Sequence, residues 1–301
     1  MKTKFSPDKQ QPIATRKKRH VMVLSIGTAL SLTVFKLVVG FAVHSLAVIA
    51  SAFDSLMDVL VSSVNFIAIH EADKPADAEH LYGHGKIESL AGLFQSLVIS
   101  GSGIYLIVES LRRFIRGSEL THIPVAVAVM IISMAFTFVL ILKLKEVLRE
   151  TESIIVGTEV LHYTTDFLTG GGVLLALILV RYTGSNLWDL AVAFAIACYI
   201  VKSSLRILKN SVDELLDRAL PPEEQKEIER IILTFDPKAT GFHNLRTRKI
   251  GQRRFIDFHF EIRGEQDFSR AHGLTEALIK RIEGRFPGSD VTVHFDPEGA
   301  D

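Results

Sequence analysis

Residues 46–69 read LAVIASAFDSLMDVLVSSVNFIAI, an apolar stretch that contains two aspartates. A helix needs about 20 apolar residues to cross the hydrocarbon core of a bilayer, so this stretch is long enough to span a membrane. Asp54 and Asp58 lie near its middle, four residues apart, which places both carboxylates on one face of the predicted helix. The stretch therefore predicts a transmembrane helix that carries charge inside the bilayer.

Five other stretches are similarly long and apolar, and none alternates apolar and polar residues as a membrane β-strand would. Together they predict six transmembrane helices, at residues 21–43, 46–69, 90–111, 123–145, 154–181 and 187–208. The residues before and after the spans are more polar. We therefore predict a cytoplasmic N-terminal tail (1–20), a six-helix transport domain embedded in the lipid bilayer (21–208) and a cytoplasmic domain (209–301).

Lysine and arginine residues indicate the orientation of the spans. They are more frequent on the side that holds the basic run at residues 16–19, although Arg112, Arg113 and Arg116 lie on the other side. Cytoplasmic loops are enriched in these residues, so both termini are predicted to be cytoplasmic. The 34 basic and 34 acidic residues balance, and nothing in the composition predicts a nucleic-acid partner.

The fifth predicted span repeats the pattern of the second. His162 and Asp166 are four residues apart and share one helix face. A charged aspartate at the bilayer centre costs at least ~2.5–3.5 kcal/mol, so such residues usually serve a function. An ion pair with Lys36 in the first span is the structural alternative, but one lysine cannot neutralise both Asp54 and Asp58.

Asp54, Asp58, His162 and Asp166 offer three carboxylates and one imidazole. Zn²⁺ accepts such a set in tetrahedral geometry, and Cd²⁺ or Fe²⁺ are alternatives. A transported ion would use all four ligands, and a hydrolytic metal centre needs an open position instead. The sequence therefore predicts a metal transporter and not an enzyme.

These pairs occur together with Tyr82-Gly83-His84-Gly85-Lys86-x-Glu88 and a C-terminal domain rich in histidine. In this combination the chain resembles the cation diffusion facilitator family, in particular its bacterial zinc and ferrous-iron efflux branch, over nearly its whole length. The resemblance implies a homodimeric metal/proton antiporter with six transmembrane helices and a ferredoxin-like cytoplasmic domain. The short loops resemble those of bacterial members, which implies a bacterial inner membrane.

The loop after the second span contains Asp77, His80 and His84, whose spacing fits a facial metal site. The resemblance matches these residues to a second zinc site. A solvated loop with locally packed histidines is the alternative, and Glu79 is a competing ligand. The resemblance also implies an ion pair between Lys86 and Asp217 at the dimer interface.

The C-terminal domain is predicted to be a small α+β domain of order αββαβ. Its expected elements are a helix from Pro221, strands at 242–249 and 254–263 joined by a hairpin, a helix at 269–286 and a strand at 290–296. The resemblance implies that bound zinc in this domain, structural or regulatory, is held by His243, His259, His272, His294 and Asp296. Surface histidines without metal are the alternative.

The predicted function is efflux of Zn²⁺, or of Cd²⁺ or Fe²⁺, in exchange for protons by alternating access. Metal ligands must be deprotonated to bind, so protonation would expel the metal, and His162 is the expected proton carrier. A passive channel would use several weak sites in series. An intramembrane metalloenzyme would commonly carry His-Glu-x-x-His, which is absent from the sequence. A sensor that transports nothing is a further alternative, which transport assays would distinguish.

Overall fold

The structure is a computed structural model that describes residues 11–42, 44, 46–116, 124–185, 187–237, 239–263, 267–297 and 299. Its elements, in chain order, are α1 (Gln11–Ala42), α2 (Leu46–Ala72), α3 (Lys86–Arg116), α4 (Pro124–Thr151), α5 (Ile154–Thr183), α6 (Leu187–Leu215), α7 (Pro222–Leu233), β1 (Ala239–Ile250), β2 (Arg253–Ile262), α8 (Phe268–Arg285) and β3 (Asp290–Pro297). Residues 1–10 of the predicted tail, 43 of the first span and 123 of the fourth lie outside the described residues.

Six helices of the described chain are long and apolar enough to cross a membrane, which confirms the predicted number. Their apolar segments are Ala14–Ala42, Ser51–Ala72, Lys86–Val108, Val127–Thr151, Ile154–Val180 and Leu190–Leu215. Large apolar side chains such as Phe41 and Val98 are exposed on their outer surfaces. This is the arrangement expected where lipid surrounds the helices.

The first helix extends well beyond its predicted span. It begins at Gln11, whereas the apolar stretch was predicted from residue 21. Hydropathy marks only the part of a helix that lies in lipid, and helical hydrogen bonding continues into polar sequence. Lys18 fixes the extension, because its Nζ lies 2.8 Å from Asp73 Oδ1 and 3.6 Å from Glu88 Oε2. Glu88 also accepts a hydrogen bond from Ser153, the N-cap of α5.

Helix α5 packs into two apolar cores. Its Tyr163 lies in a core shared with α1, α2 and α4, and its Leu161 lies in a second core with Ile99 of α3 and Ile200 of α6. The helix is therefore held on two sides, which positions the polar residues that it carries.

Small residues allow the helices to approach closely. A Cβ at Gly103 would lie 2.8 Å from Val201 Cγ2, and a Cβ at Gly172 would collide with Ile196. Gly101, in contrast, has no described atom within 4 Å of a Cβ built on it. Close packing thus explains the glycines at 103 and 172, as is common between membrane helices.

The C-terminal unit, which begins at Asp213, forms a three-stranded sheet in the order β1-β2-β3. Strands β1 and β2 are antiparallel, and β2 and β3 are parallel. The element order confirms the predicted αββαβ arrangement. The hairpin turn needs Gly251, which has a φ of 57°.

The two faces of this sheet differ. Alternate residues of β2 from Ile256 to Ile262 pack against α7 and α8 in one apolar core. The residues between them, including His259, point to the opposite face. On that face Arg248 and Arg253 cover the ring of Phe255, at 4.6 and 4.9 Å from its centroid. The helices thus cover one face and leave the other for polar groups.

Candidate metal sites

The first group of candidate ligands joins α2 and α5 within the membrane-spanning unit. His162 Nε2 lies 3.1 Å from Asp58 Oδ1 and 3.7 Å from Asp166 Oδ2. One ligand atom from each residue lies within 4.8 Å of those of the other two. The side chains of Asp58 and His162 are 21% and 20% exposed and that of Asp166 is 44% exposed, so a cation there would be partly shielded and accessible from the Asp166 side. Two carboxylates and an imidazole are suitable ligands for Zn²⁺.

Asp54 was predicted as the fourth ligand of this group, and the structure does not bring it into the group. It lies one helical turn before Asp58, with an exposed side chain. Residue spacing determines the helix face on which a side chain lies but not the rotamer that the side chain adopts. Its role as a ligand stays a prediction.

A buried carboxylate beside this group was missed by the sequence analysis. Glu159, one turn before His162 on α5, is fully buried and accepts hydrogen bonds from Ser62 and Asn65 of α2. Tyr163 Oη lies 3.2 Å from Ser62 Oγ. The charge inside a predicted span was a usable signal, because such residues rarely lack a role. The network connects the two helices that carry the candidate ligands.

Glu159→Ala should destabilise the transmembrane unit. It would leave the buried Asn65 amide without the acceptor that Glu159 provides, at ~1–3 kcal/mol for an unsatisfied group, and Ser62 would keep only its contact with Tyr163. Glu159→Gln keeps a carbonyl acceptor and should be milder. Thermal unfolding of the purified proteins in detergent checks this order. Equal melting temperatures for Glu159→Ala and the unmodified protein would show that the network contributes no stability.

The second group lies in the loop between α2 and α3. Asp77 Oδ1 is 3.4 Å from His80 Nδ1, Asp77 Oδ2 is 3.3 Å from His84 Nε2, and the two imidazole rings are 4.5 Å apart. Asp77 also accepts hydrogen bonds from the backbone N–H groups of His80 at 2.7 Å and Glu79 at 3.0 Å.

The loop group suits a divalent metal chemically. The backbone hydrogen bond from His80 is the main reason that the pKa of Asp77 is lowered, which keeps its carboxylate ionised. The turn that brings His84 towards Asp77 includes Gly83 at a φ of 82°. One carboxylate and two imidazoles leave room for a water molecule as a further ligand. Glu79, the competing candidate, contributes only its backbone N–H to the contacts of Asp77.

The third group lies on the open face of the soluble sheet. His243 of β1 pairs with His259 of β2, which pairs with His294 of β3, so the three rings stand side by side across the sheet. Asp296 is 91% buried and connects them. One of its oxygens is 2.7 Å from His259 Nδ1 and 3.4 Å from His243 Nε2, and the other is 3.0 Å from His294 Nε2. A carboxylate among three imidazoles is a suitable donor set for zinc.

His272 is the one predicted ligand of the soluble domain that stands apart. It lies on α8, where its ring stacks on Phe268 with 6.5 Å between centroids. Helix α8 covers the face of the sheet opposite to His259. Within one chain the sheet itself separates His272 from the other candidates, so its participation stays a prediction.

Glu261 belongs to this site and was missed from the sequence. Its Oε1 lies 2.8 Å from His243 Nδ1, and it is two residues after His259 on the same strand face. A carboxylate on the second ring nitrogen fixes the orientation and tautomer of a ligating imidazole. The period of two that relates His294 to Asp296 also relates His259 to Glu261, so the signal was present.

Glu261→Gln should weaken metal binding by the soluble domain by about 10–100-fold, because outer partners of ligating histidines contribute that much to affinity. Competition between full-length protein and a zinc chelator measures the change. Glu276→Gln, at an exposed position on α8, is the matched control. If both variants bind zinc equally well, Glu261 does not orient His243.

The predicted dimer pair consists of Lys86, the first residue of α3, and Asp217. In the structure Asp217 Oδ1 lies 3.1 Å from Arg248 Nη1 within the soluble unit. The pairing of Lys86 with Asp217 stays a prediction.

Two family models match the chain. The cation efflux transmembrane domain matches residues 22–216, and the cytoplasmic domain of cation efflux proteins, named ZT_dimer, matches residues 220–298. The cation-efflux pump FieF of Salmonella arizonae is 38% identical over 275 residues, which is 91% of this chain and 91% of that protein. FieF of Salmonella schwarzengrund is 37% identical over the same shares.

Two solved structures similar to this chain each cover a little over a quarter of it. The zinc form of CzrB is 36% identical, with a TM-score of 0.27, over 28% of this chain and 97% of its own. The metal-bound C-terminal domain of the CzcD transporter from Thermotoga maritima is 29% identical, with a TM-score of 0.24, over 27% of this chain and 96% of its own.

Proposed function

Because the chain belongs to the cation diffusion facilitator family, we propose that it exports a divalent transition-metal ion, foremost Zn²⁺, in exchange for protons. Family membership makes it a multi-pass membrane protein that carries out cation efflux and is not an enzyme. The choice of metal, the counter-ion and the roles of individual residues are our proposals.

One observation carries the proposal, namely the contact between Asp58 of α2 and His162 of α5 at 3.1 Å, with Asp166 on the same side. Three ligating side chains from two membrane helices converge on a volume that a single ion would fill. Charged groups are costly inside a bilayer, and a bound cation would offset that cost.

The ligand types favour zinc. Mg²⁺ rarely takes an imidazole, and Cu⁺ prefers sulfur ligands, whereas zinc accepts imidazole and carboxylate together. Cd²⁺ and Fe²⁺ remain alternative cargo by the same criterion. We propose Asp54 as the fourth ligand, because one turn of α2 separates it from Asp58 and its exposed side chain lies on the same helix face.

The exchange for protons follows from ligand chemistry. Zn²⁺ binds an imidazole and carboxylates only when they are deprotonated, so metal loading releases protons and protonation releases metal. In an alternating-access cycle the site would face one side of the membrane to load zinc and the other side to load protons. An inward proton gradient would then drive zinc out of the cell.

We propose the bacterial inner membrane as the location, with both termini in the cytoplasm. The support is the excess of lysine and arginine on the side of the N-terminal run at residues 16–19. The loop group of Asp77, His80 and His84 would then lie on the cytoplasmic side, where zinc enters. Zinc bound there would hold the connection between α2 and α3 in one conformation.

The soluble domain is proposed to hold resident zinc and to form a dimer. The matched cytoplasmic-domain family suggests dimerisation. His243, His259, His294 and Asp296 would hold the metal, which would supply a fixed positive charge and cross-link the three strands. His272 cannot reach this face within its own chain, so a second protomer would have to supply it.

Transport by the purified chain in proteoliposomes tests the proposal. Vesicles with an acidic lumen should accumulate Zn²⁺ faster than vesicles without a pH gradient. Because protons leave as zinc enters, the pH of the lumen should rise during uptake. Parallel assays with Cd²⁺, Fe²⁺ and Mg²⁺ rank the cargo. Zinc flux that ignores the pH gradient would indicate a passive pathway, and vesicles without any metal flux would support a sensor.

A further inference from the structure

Lys36 of α1 is buried, with only 9% of its surface exposed. It lies close to the proposed transport site, which consists of Asp54, Asp58, His162 and Asp166. Its Nζ donates a hydrogen bond to Ser55 Oγ at 2.7 Å and another to the backbone oxygen of Ser51 at 3.3 Å. Both acceptors are on α2 and flank Asp54 in the sequence. The ammonium group is therefore attached by neutral atoms to the helix that carries two candidate metal ligands.

Within the described residues, three carboxylates act electrostatically on Lys36. They belong to Asp58 and Asp54 of α2 and to Asp166 of α5. Within the described part of the chain, however, no carboxylate oxygen lies within 4.0 Å of Lys36 Nζ. The serine contacts thus hold the lysine close to the carboxylates without occupying the oxygen atoms that a metal would need. Beyond 4.0 Å, charges in a low-dielectric environment still interact considerably.

We propose that Lys36 is a specificity-determining residue, whose ammonium charge makes the site electrically neutral when a divalent ion is bound. This inference rests on the proposed metal transport. Three carboxylates carry three negative charges, a divalent metal supplies two positive charges, and Lys36 supplies the third. A monovalent or trivalent ion would leave a net charge, which is unfavourable inside the bilayer.

A hydrogen-bonding strut between α1 and α2 would not require a charge. Glutamine could reach the same serine acceptors without placing a cation in the membrane, so a merely structural role and a charge-balancing role predict different variants. Glu159 lies nearby, but its oxygens accept hydrogen bonds from Ser62 and Asn65. Its contribution is common to all variants of Lys36, and comparisons among them do not depend on it.

Zinc uptake into proteoliposomes, measured as KM and kcat, distinguishes the two roles. Lys36→Gln keeps a hydrogen-bond donor and removes the charge, and Lys36→Arg keeps the charge. Without the cation the empty site attracts zinc more strongly and the loaded site carries a net negative charge. We expect KM and kcat each to fall by at least tenfold in Lys36→Gln, because at an effective dielectric constant of ~20 a unit charge within roughly 10 Å of a divalent ion changes its binding by more than that. Lys36→Arg keeps the charge and should retain more of both constants than Lys36→Gln, although the larger planar guanidinium fits the buried position less well.

A double variant tests the charge itself, because a purely structural role of Lys36 predicts a different result for it. Asp54→Asn removes one negative charge, so Lys36→Gln combined with Asp54→Asn restores neutrality in the loaded state. Because Asp54 is also the proposed fourth ligand, the reference for the double variant is Asp54→Asn alone. Lys36→Gln should lower kcat less in the Asp54→Asn background than in the unmodified protein. An equal loss of kcat in both backgrounds would overturn the proposal, as would Lys36→Gln with unchanged KM and kcat.

The same experiment separates this inference from the proposed function. If the unmodified protein transports zinc and Lys36→Gln behaves like it, only the charge-balancing role fails. If the unmodified protein transports no zinc, the proposed cargo fails before Lys36 is considered. Ser55→Ala keeps the charge and removes the nearest acceptor. If Lys36→Gln cannot be purified as a folded protein, the kcat of Ser55→Ala distinguishes the two roles. Charge balance predicts a near-normal kcat for Ser55→Ala, and a structural strut predicts a lower one.

Discussion

Zinc transport should fall at least ~100-fold in Asp58→Asn and in His162→Gln, because even outer-shell partners of metal ligands contribute about 10–100-fold and these residues would touch the metal itself. Asp58 and His162 form the closest contact between α2 and α5 at the candidate site, at 3.1 Å. Each substitution replaces one metal ligand by a residue of similar size, so the two helices can still pack against each other. Uptake of zinc into proteoliposomes at matched protein density measures the loss.

Two control substitutions lie on α2, the helix that carries Asp58. His70→Gln changes an exposed histidine at the end of α2, and Met57→Leu changes an exposed apolar residue next to Asp58. Both should transport zinc at nearly the normal rate. Normal transport by Asp58→Asn and His162→Gln together with correct insertion would mean that the metal crosses the membrane elsewhere, and the central proposal would be lost.

Asp296→Asn should remove most metal binding from the soluble domain. Its carboxylate is the only group of this site that lies within 3.4 Å of all three imidazoles in the described chain, at 2.7, 3.0 and 3.4 Å. An amide is a much weaker metal ligand than a carboxylate, so zinc affinity should fall by more than the roughly 10–100-fold of an outer-shell change. If bound zinc supports the dimer, its zinc-dependent stability should fall as well.

The matched control is Asp257→Asn, an exposed aspartate two residues before His259 on the same face of β2. Equilibrium dialysis of the full-length chain with zinc, and light scattering with and without a chelator, give the two readouts. Equal zinc content in both variants would remove Asp296 from the ligand set. A chelator-insensitive dimer in the unmodified protein would reject the proposed link between metal and dimer.

Hydropathy was sufficient to predict six membrane helices, because about 20 apolar residues are needed to cross a bilayer and few other folds require them. Alternating residues and turn signals likewise predicted the three strands of the soluble domain. The beginning of α1 at Gln11 was not predictable in this way. It depends on contacts of Lys18 with Asp73 and Glu88, which are far from it in the sequence.

The candidate sites were predictable to a similar degree. Spacing of four residues placed Asp58, His162 and Asp166 on facing helix sides, and the structure brings them together. Spacing could not give the direction of the Asp54 side chain, nor show that α8 lies on the far side of the sheet from His259. Glu159 and Glu261 were missed although each lies at helical or strand spacing from a candidate histidine, because the sequence alone does not show which carboxylates contact an imidazole or its neighbours.

The contacts of Lys18 have an entropic effect on the loop between α2 and α3. Asp73 just before the loop and Glu88 just after it are both held by this one ammonium group, so the two ends of the segment are already joined. Bringing the two ends of a flexible segment together normally costs conformational entropy. Here the ends are joined by Lys18, so metal binding does not have to supply that free energy. Asp77, His80 and His84 can therefore capture a metal with little further ordering, and their affinity is coupled to a residue of α1 that never touches the ion.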